Sequence, residues 1–149
     1  GAALALVNVA SSAEFQNTPK DAANLTATYE WPVAMFGKSG SLALSNSVSY
    51  KSKVYQSEAA RTSGIASWDG AGNINVTQAN MLAQEAYTLW DAGLVWSSSD
   101  RKTQVALNGR NLTDKRYKVA GYPFAGFFNT ITAFYGDPRT VKLTVSQKF

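Results

Sequence analysis

The densest grouping of chemically capable side chains in this sequence is the segment Arg116-Tyr117-Lys118-Val119-Ala120-Gly121-Tyr122-Pro123-Phe124-Ala125-Gly126-Phe127-Phe128. Its rings can pack on a flat organic ligand, and Arg116 or Lys118 can offer positive charge to an anionic one. Arg116, Tyr117, Lys118, Tyr122, Phe124, Phe127 and Phe128 are therefore the candidate ligand-loop residues, although rings of this kind more often pack a loop against its neighbours. The other ionic side chains of interest, Glu30, Lys51, Asp91, Arg110 and Lys148, sit singly among polar residues, where a solvated face is their ordinary role.

What is missing narrows the chemistry further. The 149 residues contain no Cys and no His. Disulfides, thiolate or imidazole metal sites, Ser-His-Asp and Cys-His nucleophile systems and a histidine general base are all excluded. The 14 basic and 10 acidic residues leave a formal charge of +4, dispersed along the chain, which is no nucleic-acid footprint. Asp69-Gly70-Ala71-Gly72-Asn73 lacks the spaced oxygen ligands and closing Glu of a calcium loop, and no phosphate-binding glycine pattern occurs. The expectation is a protein with no catalytic residues, no cofactor and no metal. An enzyme built from this sequence would have to rely on a Ser-Lys or a carboxylate scheme.

The elements that must position these residues read as strands. Five stretches place apolar or small residues on one parity and polar residues on the other: Asp21–Trp31, Ser41–Tyr55, Glu85–Ser97, Lys102–Leu112 and Arg139–Phe149. In the first, Ala23, Leu25, Ala27, Tyr29 and Trp31 oppose Asn24, Thr26, Thr28 and Glu30. In the last, Val141, Leu143, Val145 and Phe149 oppose Thr140, Lys142, Thr144, Ser146 and Lys148. The stretches run 11 to 15 residues. That exceeds the roughly 5 to 6 residues of a soluble strand and meets the roughly 9 to 11 of a tilted membrane strand.

Connections alternate in length. Pro32–Gly40 and Ser97–Arg101 are short, while Gln56–Gln84 and Thr113–Pro138 are long. In an antiparallel sheet this puts short turns at one end and long loops at the other, as in outer-membrane barrels. Tyr29, Trp31, Trp96 and Phe149 then fall at one level on the apolar face, an aromatic girdle, with Tyr50 and Tyr87 towards the other end. A short strand is expected at Ile74-Asn75-Val76 within the first long loop. The 45% hydrophobic fraction and 16% charged fraction suit an all-β chain, and no apolar run reaches the length of a membrane-crossing helix.

Asn111-Leu112-Thr113-Asp114-Lys115-Arg116-Tyr117, then Gly136-Asp137-Pro138-Arg139, then a strand ending in Phe149 resemble the C-terminal end of TonB-dependent outer-membrane receptors. Asn17-Thr18-Pro19-Lys20 is similar to a segment that introduces a later barrel strand there, so the resemblance spans about residues 17–149. It implies an all-β fold, an antiparallel transmembrane β-barrel segment of about five long strands with short periplasmic turns and long extracellular loops. The chain would be the C-terminal portion, residues 1–149, of a barrel of about 22 strands, without its plug. A start at Gly1 rather than Met fits a fragment. The implied function is TonB-energised uptake of a scarce nutrient, most often a ferric siderophore, across the outer membrane of a Gram-negative bacterium. The implied partners are outer-membrane lipid, the rest of the barrel and its plug, TonB through that plug, an iron–siderophore ligand and the barrel assembly machinery. The last would read Val141, Leu143, Val145 and Phe149, with Gln147 departing from the usual pattern. The alternative is a soluble β-sandwich ligand-binding module of carbohydrate type, using Trp68, Tyr122 and Phe124.

Overall fold

The computed structural model describes residues 15–56, 66–68, 71, 74–76, 82–123 and 131–149. Among the described residues the strands are, in chain order, β1 (Ala22–Pro32), β2 (Gly40–Lys51), β3 (Val54–Tyr55), β4 (Ala66–Trp68), β5 (Ile74–Val76), β6 (Ala83–Gln84), β7 (Tyr87–Ser98), β8 (Thr103–Arg110), β9 (Lys118–Pro123), β10 (Ile131–Tyr135) and β11 (Thr140–Gln147). The five alternating stretches supply β1, β2, β7, β8 and β11. These form one antiparallel sheet in that order, and β3 with β6, β4 with β5 and β9 with β10 form two-stranded ribbons.

By its internal contacts the chain divides into two compact units. The first comprises the described residues of 1–20, 53–85 and 118–134, and the second comprises Asp21–Ser52, Ala86–Tyr117 and Tyr135–Phe149. In the first unit, Leu82 is fully buried, with Ile131 and Ala133 packed against it. A Cβ on Gly121 would stand 2.7 Å from Leu82 Cδ2, so the β9 backbone lies close against that side chain. Lys53 reaches Glu85 at 2.7 Å. That hydrogen bond raises the lysine pKa above its ordinary value, against a smaller opposing effect of burial.

The second unit is the five-stranded sheet, and its register sorts the side chains strictly by parity. Tyr29, Leu44, Leu94, Leu107 and Leu143 line up across all five strands on one face, and Trp31, Leu42, Trp96, Val105 and Val145 form the adjacent row. On the opposite face run Thr28, Ser45, Gly93, Asn108 and Lys142. Period two in the sequence produces this two-faced sheet directly.

The short connections are built by identifiable turn chemistry. Met35 and Lys38 exchange backbone hydrogen bonds of 3.0 Å around Phe36-Gly37, whose φ values of 54° and 70° are both positive. This is the geometry of a two-residue hairpin turn whose twist matches its strands. Phe36 accepts an unfavourable backbone because its ring packs edge-on against Trp96, with centroids 5.5 Å apart. At the other short turn, Ser98 accepts from the Arg101 N–H at 2.8 Å and its Oγ accepts from Thr103 N–H at 2.9 Å.

Three expectations are corrected. The all-β chain does not form an antiparallel transmembrane β-barrel segment. Its sheets are open, β1 and β11 are the outer strands of the largest, and they do not pair with each other. Alternation and strand length report only local, half-buried strands. Closure is a property of long-range pairing that neither of them encodes. The long connections are not plain loops either: they carry the β4–β5 ribbon with the expected strand Ile74–Val76, the β9–β10 ribbon, and β6, whose partner β3 is the last part of the expected strand Ser41–Tyr55. Trp96, finally, is no girdle residue. It is 1% exposed, beneath the Val33–Phe36 turn, and its Nε1 donates to the Val33 carbonyl at 3.1 Å.

Candidate functional site

The polar face of the five-stranded sheet holds a concavity. Its volume is about 720 Å³, and its lining includes Ser45, Ser47, Asp91, Asn108, Arg110 and Lys142. Gly93 lies at its centre, between Ser45 on β2 and Asn108 on β8. A Cβ at Gly93 would stand 2.7 Å from Ser45 Oγ and 2.8 Å from Asn108 Oδ1. The absent side chain therefore lets two polar groups close over the buried Gly93 backbone, a common signature of close approach in a strand.

The floor of this groove is ordered by hydrogen bonds within the sheet. Ser45 Oγ donates to the Gly93 carbonyl at 3.3 Å, and Ser47 Oγ lies 3.2 Å from Thr26 Oγ1. Asp91 accepts from the Asn111 backbone N–H at 2.7 Å. Hydroxyls, an amide, one carboxylate and two cations thus face a common space. A second polar hollow, of about 610 Å³, lies by the Ser97–Thr103 turn and includes Glu30, Gln104 and Lys148.

The residues singled out by sequence separate into distinct environments. Asn111 is 4% exposed at φ 48° and is a hub of hydrogen bonds. Its Nδ2 donates to the carbonyls of Lys115 (2.9 Å) and Asp137 (3.1 Å), and its Oδ1 accepts from the Lys115 N–H (2.9 Å) and Thr113 Oγ1 (3.3 Å). Leu112 N–H donates to the Trp90 carbonyl at 2.7 Å, and Arg139 pairs with Asp114 at 3.4 Å. Arg116 lies over the Tyr135 ring at 4.2 Å, and Tyr117 stacks on Tyr87 at 4.7 Å. Gly136 carries no side chain because a Cβ there would fall 2.0 Å from Tyr117 Cζ. Pro138 leads into β11, and its carbonyl accepts from Thr140 Oγ1 at 3.1 Å. These motif residues hold the end of β8 against the entry to β11.

In the other unit, Lys118 Nζ donates to the Ala83 carbonyl at 2.9 Å, and its backbone N–H donates to Gln84 Oε1 at 2.7 Å. Tyr122 is half exposed and meets Phe134 edge-on, with centroids 6.1 Å apart. Phe124, Phe127 and Phe128 lie outside the described residues, as does the side chain of Trp68. Val141, Leu143 and Val145 are exposed on outer strand β11, and Phe149 lies fully exposed beyond the strand's end.

Two features escaped the sequence reading. In the sequence Gly93 is one more position on the Asp91 and Val95 parity of its strand, and only its cross-strand neighbours show it as the floor of a groove. Ser99-Asp100-Arg101-Lys102 has Ser-x-x-Lys spacing, but both end residues are exposed in the turn between β7 and β8. Asp100 serves that turn by accepting from Ser98 Oγ and from Lys102 N–H. Those two hydrogen bonds, Ser98 first, hold its carboxyl below the ordinary carboxylate value.

No protein-family model, curated protein or solved structure matches this chain. The resemblance to TonB-dependent receptors accordingly finds no support beyond the short motifs that suggested it, and those motifs have a local structural use as the Asn111 knot. With the barrel and the family gone, the expectations derived from them go too: siderophore uptake, placement in the outer membrane, and lipid, plug, TonB and barrel-assembly partners.

Proposed function

We propose that this chain is a non-catalytic ligand-binding module whose polar sheet face takes a hydroxyl-rich ligand of oligosaccharide type. The observation that carries this reading is the groove at Gly93, where Ser45 and Asn108 converge from the neighbouring strands over the residue that has no side chain. Its volume of about 720 Å³ suits a ligand of a few sugar rings. Hydroxyl and amide side chains can trade hydrogen bonds with sugar hydroxyls, while Arg110 and Lys142 outnumber Asp91 and favour an acidic sugar. The lack of any His or Cys in the sequence agrees with binding without turnover.

The test is calorimetric titration of the chain with a panel of neutral and acidic oligosaccharides, repeated on Gly93→Val and Asn108→Leu. Binding by at least one acidic member of the panel, weakened at least tenfold by either substitution, is the expected result. No binding across the panel, or equal binding by Gly93→Val, overturns the reading.

A further inference from the structure

The polar face of the five-stranded sheet gathers cations that the sequence scatters. Arg101, Lys102, Arg110, Lys142 and Lys148 all line the two hollows of that face. The carboxylates in the same walls are Glu30 on β1 and Asp91 on β7. The excess of positive charge lies along the paired strands β8 and β11. From Arg110↔Thr140 through Asn108↔Lys142 to Gln104↔Ser146, the side chains on this face are cations, hydroxyls, amides and the Ala106 methyl, with no acid among them.

This stripe ends in a like-charged pair. The Lys148 N–H donates to the Lys102 carbonyl at 2.8 Å, one step beyond Gln147↔Thr103, so the two lysines stand opposite each other. Like charges directly opposed across strands destabilise a sheet, and an anion bound between them turns repulsion into attraction. Asp100 in the adjacent turn has other partners: its carboxylate accepts from Ser98 Oγ and the Lys102 N–H, pairs with Lys38 at 4.0 Å, and lines neither hollow. Between the hollows the inner strands carry only Ala43, Val95 and Ala106 on this face, so no bulky side chain separates them. From Lys142 to Lys148 the stripe covers about 20 Å of extended chain.

We propose that the two hollows form one track for a linear acidic polysaccharide, the Gly93 groove holding one segment of sugars and the Arg101, Lys102 and Lys148 hollow holding the acid groups of a later segment. This rests on the oligosaccharide reading of the Gly93 groove and extends it to a chain of charged sugars. Charge complementarity commits the ligand: five cations against two carboxylates select a polyanion. The hydroxyls and amides between them, including Ser97 and Gln104 bonded to each other at 3.2 Å, match the hydroxyls of sugars. No aromatic ring lines either hollow, which disfavours the stacked bases of a single-stranded nucleic acid.

The probes are a linear uronic-acid hexasaccharide, its disaccharide, a neutral hexasaccharide and a single-stranded oligonucleotide, each titrated calorimetrically into the full chain. The acidic hexasaccharide should bind at least tenfold more tightly than the disaccharide and than the neutral hexasaccharide. Lys148→Gln, at an exposed position beyond β11, should weaken the acidic hexasaccharide at least fivefold and leave the disaccharide unchanged, with the far-ultraviolet circular dichroism of the parent. Lys115→Gln, which removes the same charge outside both hollows, should bind all probes as the parent does. Disaccharide binding that is lost in Asn108→Leu, without tighter binding of the hexasaccharide or without an effect of Lys148→Gln, overturns the track and leaves the Gly93 groove standing. Absence of binding by every sugar overturns both. Hexasaccharide binding that Lys115→Gln weakens as much as Lys148→Gln, or tighter binding of the oligonucleotide, overturns the track as well.

Discussion

Asn111 Nδ2 donates to the Asp137 carbonyl across 3.1 Å and 26 residues of sequence, tying the end of β8 to the approach of β11. The same amide satisfies both the carbonyl and the N–H of Lys115. One buried side chain thereby fixes two turns at once, which a hydrophobic residue of equal size would leave with unpaired backbone groups.

Replacing Asn111 with Ala should lower stability by about 2 to 4 kcal/mol, since it strands partly buried carbonyls and keeps a left-handed backbone. Asn111→Gly relieves the backbone but loses the same hydrogen bonds, so it should recover only a fraction of that loss. Urea unfolding with an unchanged m value is the check; equal stability of Asn111→Ala and the parent would show that the knot holds nothing.

Gly136→Ala should displace the Tyr117 ring, because the added methyl would lie 2.0 Å from Cζ. The expected cost is about 1 to 3 kcal/mol. Loss of the Tyr87–Tyr117 stack should appear in the near-ultraviolet circular dichroism. Burial raises the Tyr87 pKa above 10.0, with a smaller contribution from Tyr117. Its folded value therefore exceeds its unfolded one, so the associated stability is present below 10.0 and is lost as pH rises through the folded value. In Gly136→Ala the phenol titration should move back towards 10.0.

Trp96→Ala should cost about 3 to 5 kcal/mol, as expected for a fully buried indole. Trp96→Phe keeps most of the packing with Phe36 but leaves the Val33 carbonyl without its donor, and should cost less than half as much. Thermal unfolding of the two variants side by side distinguishes packing from the hydrogen bond.

Ser98→Ala should raise the Asp100 pKa towards its ordinary value of 3.8, because the Ser98 hydroxyl is the chief cause of its depression. The folded value lies below the unfolded one, so the stabilisation is fully present above pH 3.8 and is lost as pH falls through the lowered folded value. Carboxyl carbon NMR titration of the parent and the variant gives both values directly. An unchanged titration would assign the depression to the Lys102 N–H instead.

The division between what was legible in the sequence and what was not follows the range of the interactions involved. Alternation of Leu25, Ala27 and Tyr29 with Thr26 and Thr28, and of Val141, Leu143 and Val145 with Lys142 and Thr144, placed the main strands within a few residues and assigned both faces. Side-chain parity is set by the local pleat, so sequence alone determined it. Whether the outer strands join each other was not available in that way, and an expected barrel became an open sheet with free edges at β1 and β11. The same holds for the sites. The Asn-Leu-Thr-Asp-Lys-Arg-Tyr run stood out by its residue types, but its task depends on Asp137 and Tyr135 arriving from a later segment. Trp96 looked like an interfacial ring until the Val33–Phe36 turn folded over it. Gly93 became a groove only when Ser45 and Asn108 were brought to either side. Residue order determined which side chains share a face; tertiary pairing alone decided which of them meet, because those contacts join residues that lie 15 to 63 positions apart.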